Sequence, residues 1–170
     1  MDSKKELVVS DASPLVQLAI ADYLYILPKV YRVVIPEEVF EETQHYSDLP
    51  DAIEIAKATR SWLSVKPVKG KMKLRRLITK TKLGKGEAEA IILCNELKAS
   101  AVLTSDRYAA TKAEEYGVKT VNLADVIRQS YHSKALDAAH TIELTDRLVN
   151  QNILDTRYIR DLREEAKGWL

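Results

Sequence analysis

Leu7-Val8-Val9-Ser10-Asp11 and Ala101-Val102-Leu103-Thr104-Ser105-Asp106 are two short apolar runs, each ending in Ser-Asp. A continuous apolar run of this length, bounded by polar residues, suits a strand covered by helices on both faces. Open parallel sheets bind ligands outside the carboxyl ends of their strands. The two runs therefore predict parallel strands that deliver Asp11 and Asp106 to one sheet edge. Two further acids, Glu42 and Glu87, fall on the apolar stripes of predicted helices. Four carboxylates converging on one point need a cation to hold them, which predicts a divalent-metal site and phosphate chemistry.

Strands and helices alternate outward from these runs. A first helix follows Asp11, with Ser13 as its expected N-cap and Pro14 at its first position. Further helices are expected over 22–29, 36–46 and 51–61, with strands at 31–35 and 62–65. Residues 71–83 are basic and carry no clear pattern. A long helix opens at Gly86 and runs to about Ala99. Strand 101–105, helix 107–116, strand 118–121 and helix 123–132 complete the pattern. This is an α/β fold of three layers, α/β/α, with a mostly parallel sheet. Right-handed crossovers limit the strand orders; if the first three strands run one way and the fourth pairs with the first on its other side, the order is 3-2-1-4-5, with the switch point between the strands ending in Asp11 and Asp106. Residues 1–133 are expected to form this domain, and 134–170 a helical extension packed on it.

A chain of 170 residues can bury roughly 70% of its unfolded surface, enough for one domain with a real core. No stretch reaches the roughly 18 apolar residues of a membrane span, which predicts no membrane role. Met1-Asp2-Ser3-Lys4-Lys5-Glu6 leads straight into the first strand, so no signal peptide is expected. A single cysteine, Cys94, fits a reducing cytoplasm and a core position mid-helix.

The net charge of +1 conceals an asymmetry. Glu37 to Glu54 holds seven acids and no Lys or Arg, whereas Lys57 to Lys85 holds eleven Lys or Arg and no acids. Such a pair of patches suits an enzyme that binds cations at one centre and a polyanion at the other. It equally suits two solvated helix faces of opposite sign. Lys69, Lys71, Lys73, Arg75, Arg76 and Lys85 are the candidates for holding the phosphates of such a polyanion. If they instead pair with the acidic segment, they do so across the surface or across a homodimer, the expected assembly.

Glu42 lies three residues after Val39 and so shares its core-facing side, whereas Glu41 points away. Glu37 and Glu38 lie in a first helical turn, where acids offset the dipole. Glu38, one turn from Glu42, is a candidate supporting residue. The bland alternative pairs Glu42 with a basic residue at the rim. Glu87 heads the stripe Ala90, Ile91, Cys94 and Leu97, while Glu89 is expected to share a solvated face with Glu96. For Glu87 the alternative is dipole compensation. Ser13 and Ser105 could support Asp11 and Asp106. Gly84-Lys85-Gly86 lacks the spacing of a nucleotide-binding P-loop. His45, His132 and His140 match no zinc spacing.

These residues together resemble the PIN-domain family of metal-dependent nucleases, which includes the VapC-type toxins of toxin–antitoxin systems. The resemblance rests on Asp11 in Val9-Ser10-Asp11-Ala12-Ser13-Pro14-Leu15 and Glu42 in Pro36-Glu37-Glu38-Val39-Phe40-Glu41-Glu42. It rests also on Glu87 in Leu83-Gly84-Lys85-Gly86-Glu87-Ala88-Glu89-Ala90 and Asp106 in Leu103-Thr104-Ser105-Asp106. It covers about residues 7–125, and the tail is similar to that of an uncharacterised prokaryotic subgroup. It implies hydrolysis of single-stranded RNA with Mg²⁺ or Mn²⁺ held by Asp11, Asp106, Glu87 and Glu42, and an antitoxin protein as partner. Many members carry a further acid soon after the last Asp. Here none occurs until Glu114, a departure that favours one well-held ion over two. A non-catalytic nucleic-acid-binding module and a metal-dependent phosphotransfer enzyme acting on small phosphates are the competing readings.

Overall fold

The computed structural model describes residues 4–170. Five strands form one sheet: β1 (Leu7–Ser10), β2 (Arg32–Pro36), β3 (Leu63–Lys66), β4 (Ala101–Leu103) and β5 (Thr120–Val121). All neighbours are parallel, in the order β3-β2-β1-β4-β5. The predicted order is thus the observed one. The central strand β1 pairs Val9 with Val34 on one side and with Val102 on the other.

The side-chain period of two along each strand divides the core. Val8, Val33, Ile35, Ala101 and Leu103 face one hydrophobic cluster, while Val9, Val34 and Val102 face a second. Buried on both faces, the strands read as unbroken apolar runs rather than alternating ones.

The first cluster is covered by α1 (Ala12–Ile20), the short α2 (Leu27–Val30), α3 (Glu37–Thr43), α4 (Pro50–Ala58) and α8 (Leu123–His132). The tail helices α9 (Ala138–Asn150) and α10 (Arg157–Lys167) add Leu144, Leu148, Ile159 and Leu162 to the same cluster. Trp169 stacks on Tyr131 of α8, with ring centroids 4.0 Å apart. The second cluster is built by α5 (Lys71–Thr81), α6 (Lys85–Leu97) and α7 (Arg107–Glu115). Cys94 lies buried in it, and burial pushes its thiol up to about 11.

Several predicted boundaries shift. The expected helix at 22–29 is a 3₁₀ turn at Leu24–Ile26 followed by a single α-turn. The helix expected to reach Tyr46 ends at Thr43. The patternless basic segment is the regular helix α5, whose Leu74 and Leu77 are buried while the cations stay in solvent.

Candidate active site

The two aspartates occupy equivalent places. Each stands in the turn between a strand at the switch point and the next helix, and each caps that helix. Asp11 Oδ1 accepts the Ala12 amide at 2.8 Å. Asp106 Oδ1 accepts the Ala109 amide at 2.7 Å. The N-cap of α1 is therefore Asp11 rather than Ser13, which lies inside the first turn. The helix starts two residues earlier than expected because the aspartate side chain accepts the free Ala12 amide, and Pro14 needs no partner in that turn. Asp106 likewise follows β4 by three residues and opens α7, rather than ending the strand.

Thr104 joins the pair. Its hydroxyl donates to Asp11 Oδ2 at 3.3 Å and accepts the Asp106 amide at 3.1 Å. Asp11 is only 3% exposed. Burial holds its carboxyl above the usual range, the Ala12 amide and Thr104 hydroxyl oppose that shift, and the charge of Asp106 adds to it.

Glu87 lies in the first turn of α6 and is partly buried. Burial pushes its carboxyl up to about 7, helped by the charges of Asp11, Asp106 and Glu42. Glu42, on α3, is raised by burial and then by Asp11, with Gly86 N–H acting in the opposite sense. Glu42 is more open to solvent than its place beside Val39 predicts, but its carboxylate presses on Gly86. A Cβ on Gly86 would stand 2.8 Å from Glu42 Cδ, so only glycine leaves that carboxylate its place. Glu87 thus feels the charges of carboxylates from three other segments, Asp11, Asp106 and Glu42.

The supporting residues differ from expectation. Ser105 donates to Gln17 Oε1 of α1 at 2.6 Å and so ties the β4–α7 turn to α1. Glu38 pairs with Lys85 at 2.9 Å, across the start of α3 and α6. The larger correction concerns Glu89, which is 4% exposed and not solvated. Its carboxylate accepts the Glu38 amide at 3.1 Å and caps α3. Seven residues on, Glu96 accepts the Lys69 and Gly70 amides at 3.1 and 2.6 Å, ahead of α5. The solvated face expected of α6 holds for Glu96, which stays exposed, and fails for Glu89, which α3 covers. Its acid spacing of seven was the available signal.

Among the basic candidates, Lys69, Lys71, Lys73, Arg75 and Arg76 are all exposed, and Lys85 is engaged with Glu38. Among the described residues, none of the first five forms an ion pair with the acidic segment. Lys73 and Arg76 line one cavity together with Lys80 and Lys112, two cations outside the expected set.

The all-oxygen donor set of Asp11, Glu42, Glu87 and Asp106 suits a hard cation such as Mg²⁺ or Mn²⁺. Among the described residues, no three His, Cys, Asp or Glu side chains already form a group that could hold a metal ion. One oxygen of each aspartate is committed to a cap, and uncompensated carboxylates repel one another.

A family model described as a PIN domain matches residues 7–165. The chain belongs to the PIN-domain family. Proteins of this family are generally nucleases and typically use divalent metals. A comparison with curated proteins finds no match. Among the described residues, no helix is long and apolar enough to cross a membrane.

Proposed function

We propose that this protein is a metal-dependent ribonuclease that hydrolyses phosphodiester bonds of single-stranded RNA. The observation that supports the reading is that Glu87, whose carboxyl burial pushes up to about 7, also feels the charges of Asp11, Asp106 and Glu42. Such a centre is costly unless it serves a cation. Asp11 and Asp106 are the main ligands in this reading, with Glu87 and Glu42 completing the set. A bound Mg²⁺ or Mn²⁺ would supply an activated water and neutralise charge on the phosphate.

The chain's own residues do the rest. The Thr104 hydroxyl and the Ala12 amide fix the Asp11 carboxylate, so its oxygens do not reorganise during the reaction. Gly86 leaves room for Glu42 to approach. Glu87 and Glu42 orient the attacking water. Its oxygen would bond to phosphorus as it gives up a proton, while the bond to the ribose oxygen breaks and that oxygen leaves with the electron pair and takes up a proton.

The test is cleavage of a single-stranded RNA beside a small phosphoester, with Mg²⁺, Mn²⁺ or EDTA, in the parent and in Asp11→Asn. RNA cleavage that needs the ion and vanishes in Asp11→Asn supports the reading. Cleavage that persists in EDTA overturns it. One observation favours a second reading, a non-catalytic RNA-binding module: capping α1 and α7 already gives both aspartates a structural purpose. RNA binding without cleavage under any ion would select that reading. A toxin role adds the requirement of an antitoxin protein that silences the activity, which co-purification with the product of a neighbouring reading frame would reveal.

A further inference from the structure

We propose that the cleft between α5 and α7 grips one nucleotide of single-stranded RNA beside the carboxylate centre. This rests on the nuclease reading above and assigns that site a substrate-binding partner. The cleft is a cavity of about 320 Å³. Lys73, Arg76 and Lys80 line it from α5, at the spacing that stacks side chains on one helix face. Lys112 and Tyr116, four residues apart on and just after α7, face them. Leu77 and Thr81 contribute the rest of the α5 wall.

Charge and shape select the occupant. Four cations meet a single carboxylate, Glu115, which is paired with Lys112 at 3.0 Å. Among the described residues, Lys73, Arg76 and Lys80 have no ion-pair partner. An unneutralised cation row beside an exposed aromatic ring is how proteins hold single strands. The cations track phosphates, and the ring takes a base that a duplex would keep stacked. Tyr116 is 38% exposed at the cleft. Tyr108 is spent differently: its hydroxyl donates to the Thr81 carbonyl and Lys112 lies 5.3 Å over its ring, so it braces the cleft.

The cleft is also correctly placed. Lys112 lies six residues along α7 from Asp106, about 9 Å at the helical rise. Thr81 lies four residues before the start of α6, which carries Glu87. A strand held in the cleft therefore continues onto the carboxylates.

The experiment measures binding of a fluorescent single-stranded RNA in EDTA at several salt concentrations, with cleavage under Mg²⁺ measured separately. The variants are Lys73→Gln/Arg76→Gln/Lys80→Gln, Tyr116→Ala, and the control Lys71→Gln/Arg75→Gln on the same helix outside the cleft. All the altered side chains are exposed, and thermal melts confirm folding. The triple variant should bind at least about tenfold more weakly and lose about two from its salt slope, at roughly 0.7 per phosphate contact. Tyr116→Ala should lose about tenfold in affinity with its slope unchanged. The control should lose less than the triple variant in both respects. Equal losses in control and triple variant, competition by duplex DNA as good as by single strands, or no RNA binding by the parent would each overturn the cleft. RNA bound through the cleft but never cleaved would leave the cleft standing and remove the nuclease reading. Cleavage with unaltered binding in the triple variant would do the reverse.

Discussion

Gly86 and Glu42 are in van der Waals competition for one place: a single methyl group on Gly86 would collide with the Glu42 carboxylate. The glycine stands in the first turn of α6, and the glutamate on α3 fills the space its missing side chain leaves. A local backbone choice thus decides where an acid of the site can sit.

Gly86→Ala should therefore separate stability from function. Alanine favours a helix interior by about 1 kcal/mol over glycine, which offsets part of the clash. The melting temperature should move by only about 5 °C either way. Mg²⁺-dependent cleavage should fall by about tenfold or more, because Glu42 is displaced. Parent-like activity in a folded Gly86→Ala would show that Glu42 need not approach this turn.

The raised carboxyls predict an unusual pH dependence. Glu87 titrates near 7 when folded and near 4.5 as a free side chain. The folded state then binds more protons than the unfolded state between these values, so its stability falls as pH rises through this window. Without metal, the protein should be more stable at pH 5 than at pH 8. The Glu87 share is on the order of 1 to 2 kcal/mol after solvent screening. Asp11 and Glu42 shift the same way and add to it. Mg²⁺ or Mn²⁺ at pH 8 should restore much of the loss. Denaturant melts across pH, with and without the ion, measure this. A metal-free profile that rises from pH 5 to pH 8 would contradict the assignment.

Asp11→Asn should raise metal-free stability at pH 8. The amide can still cap α1 and carries no charge in a buried place. The same variant should lose the stabilisation by Mg²⁺. A drop in metal-free melting temperature would show that the ionised carboxylate is needed for the fold.

Glu89→Ala should cost about 1 to 3 kcal/mol, since the Glu38 amide at the start of α3 loses its acceptor. Glu89→Gln retains an acceptor and should cost clearly less. Urea melts of the two variants test the cap. Equal melts for both would assign the effect to charge instead.

Much of the fold could be read from the chain because the two Ser-Asp runs are buried on both faces and leave few alternatives for the central strands. The two aspartates were likewise legible, since each follows a strand at the switch point, whereas Glu42 stands more open to solvent than its place on the α3 stripe implies. Glu89 was not. Its face of α6 is polar by composition, and only the arrival of α3 buries Glu89, while Glu96 further along stays exposed. α5 was obscured by the charge of Lys71, Lys73, Arg75 and Arg76, which hides the buried pair Leu74 and Leu77. Ser13 and Asp11 are both good caps, and the choice between them depends on where the first turn closes. The cleft cations Lys80 and Lys112 lie far apart in sequence, so only packing unites them.

The two acids of α6 that hold the starts of α3 and α5 have a consequence for how this protein can vary. Glu89 and Glu96 are two helical turns apart, about 10 Å, and Glu87 sits just ahead of them on the same rod. One helix thus fixes the spacing between the element that offers Glu42, the element that offers the cation row, and Glu87 itself. A single substitution along α6 leaves that spacing in place, but a residue gained or lost between Glu87 and Glu96 rotates one set by about 100° against the other. The segment behaves as a ruler: its length, more than its composition, sets how far the point of grip lies from the point of attack.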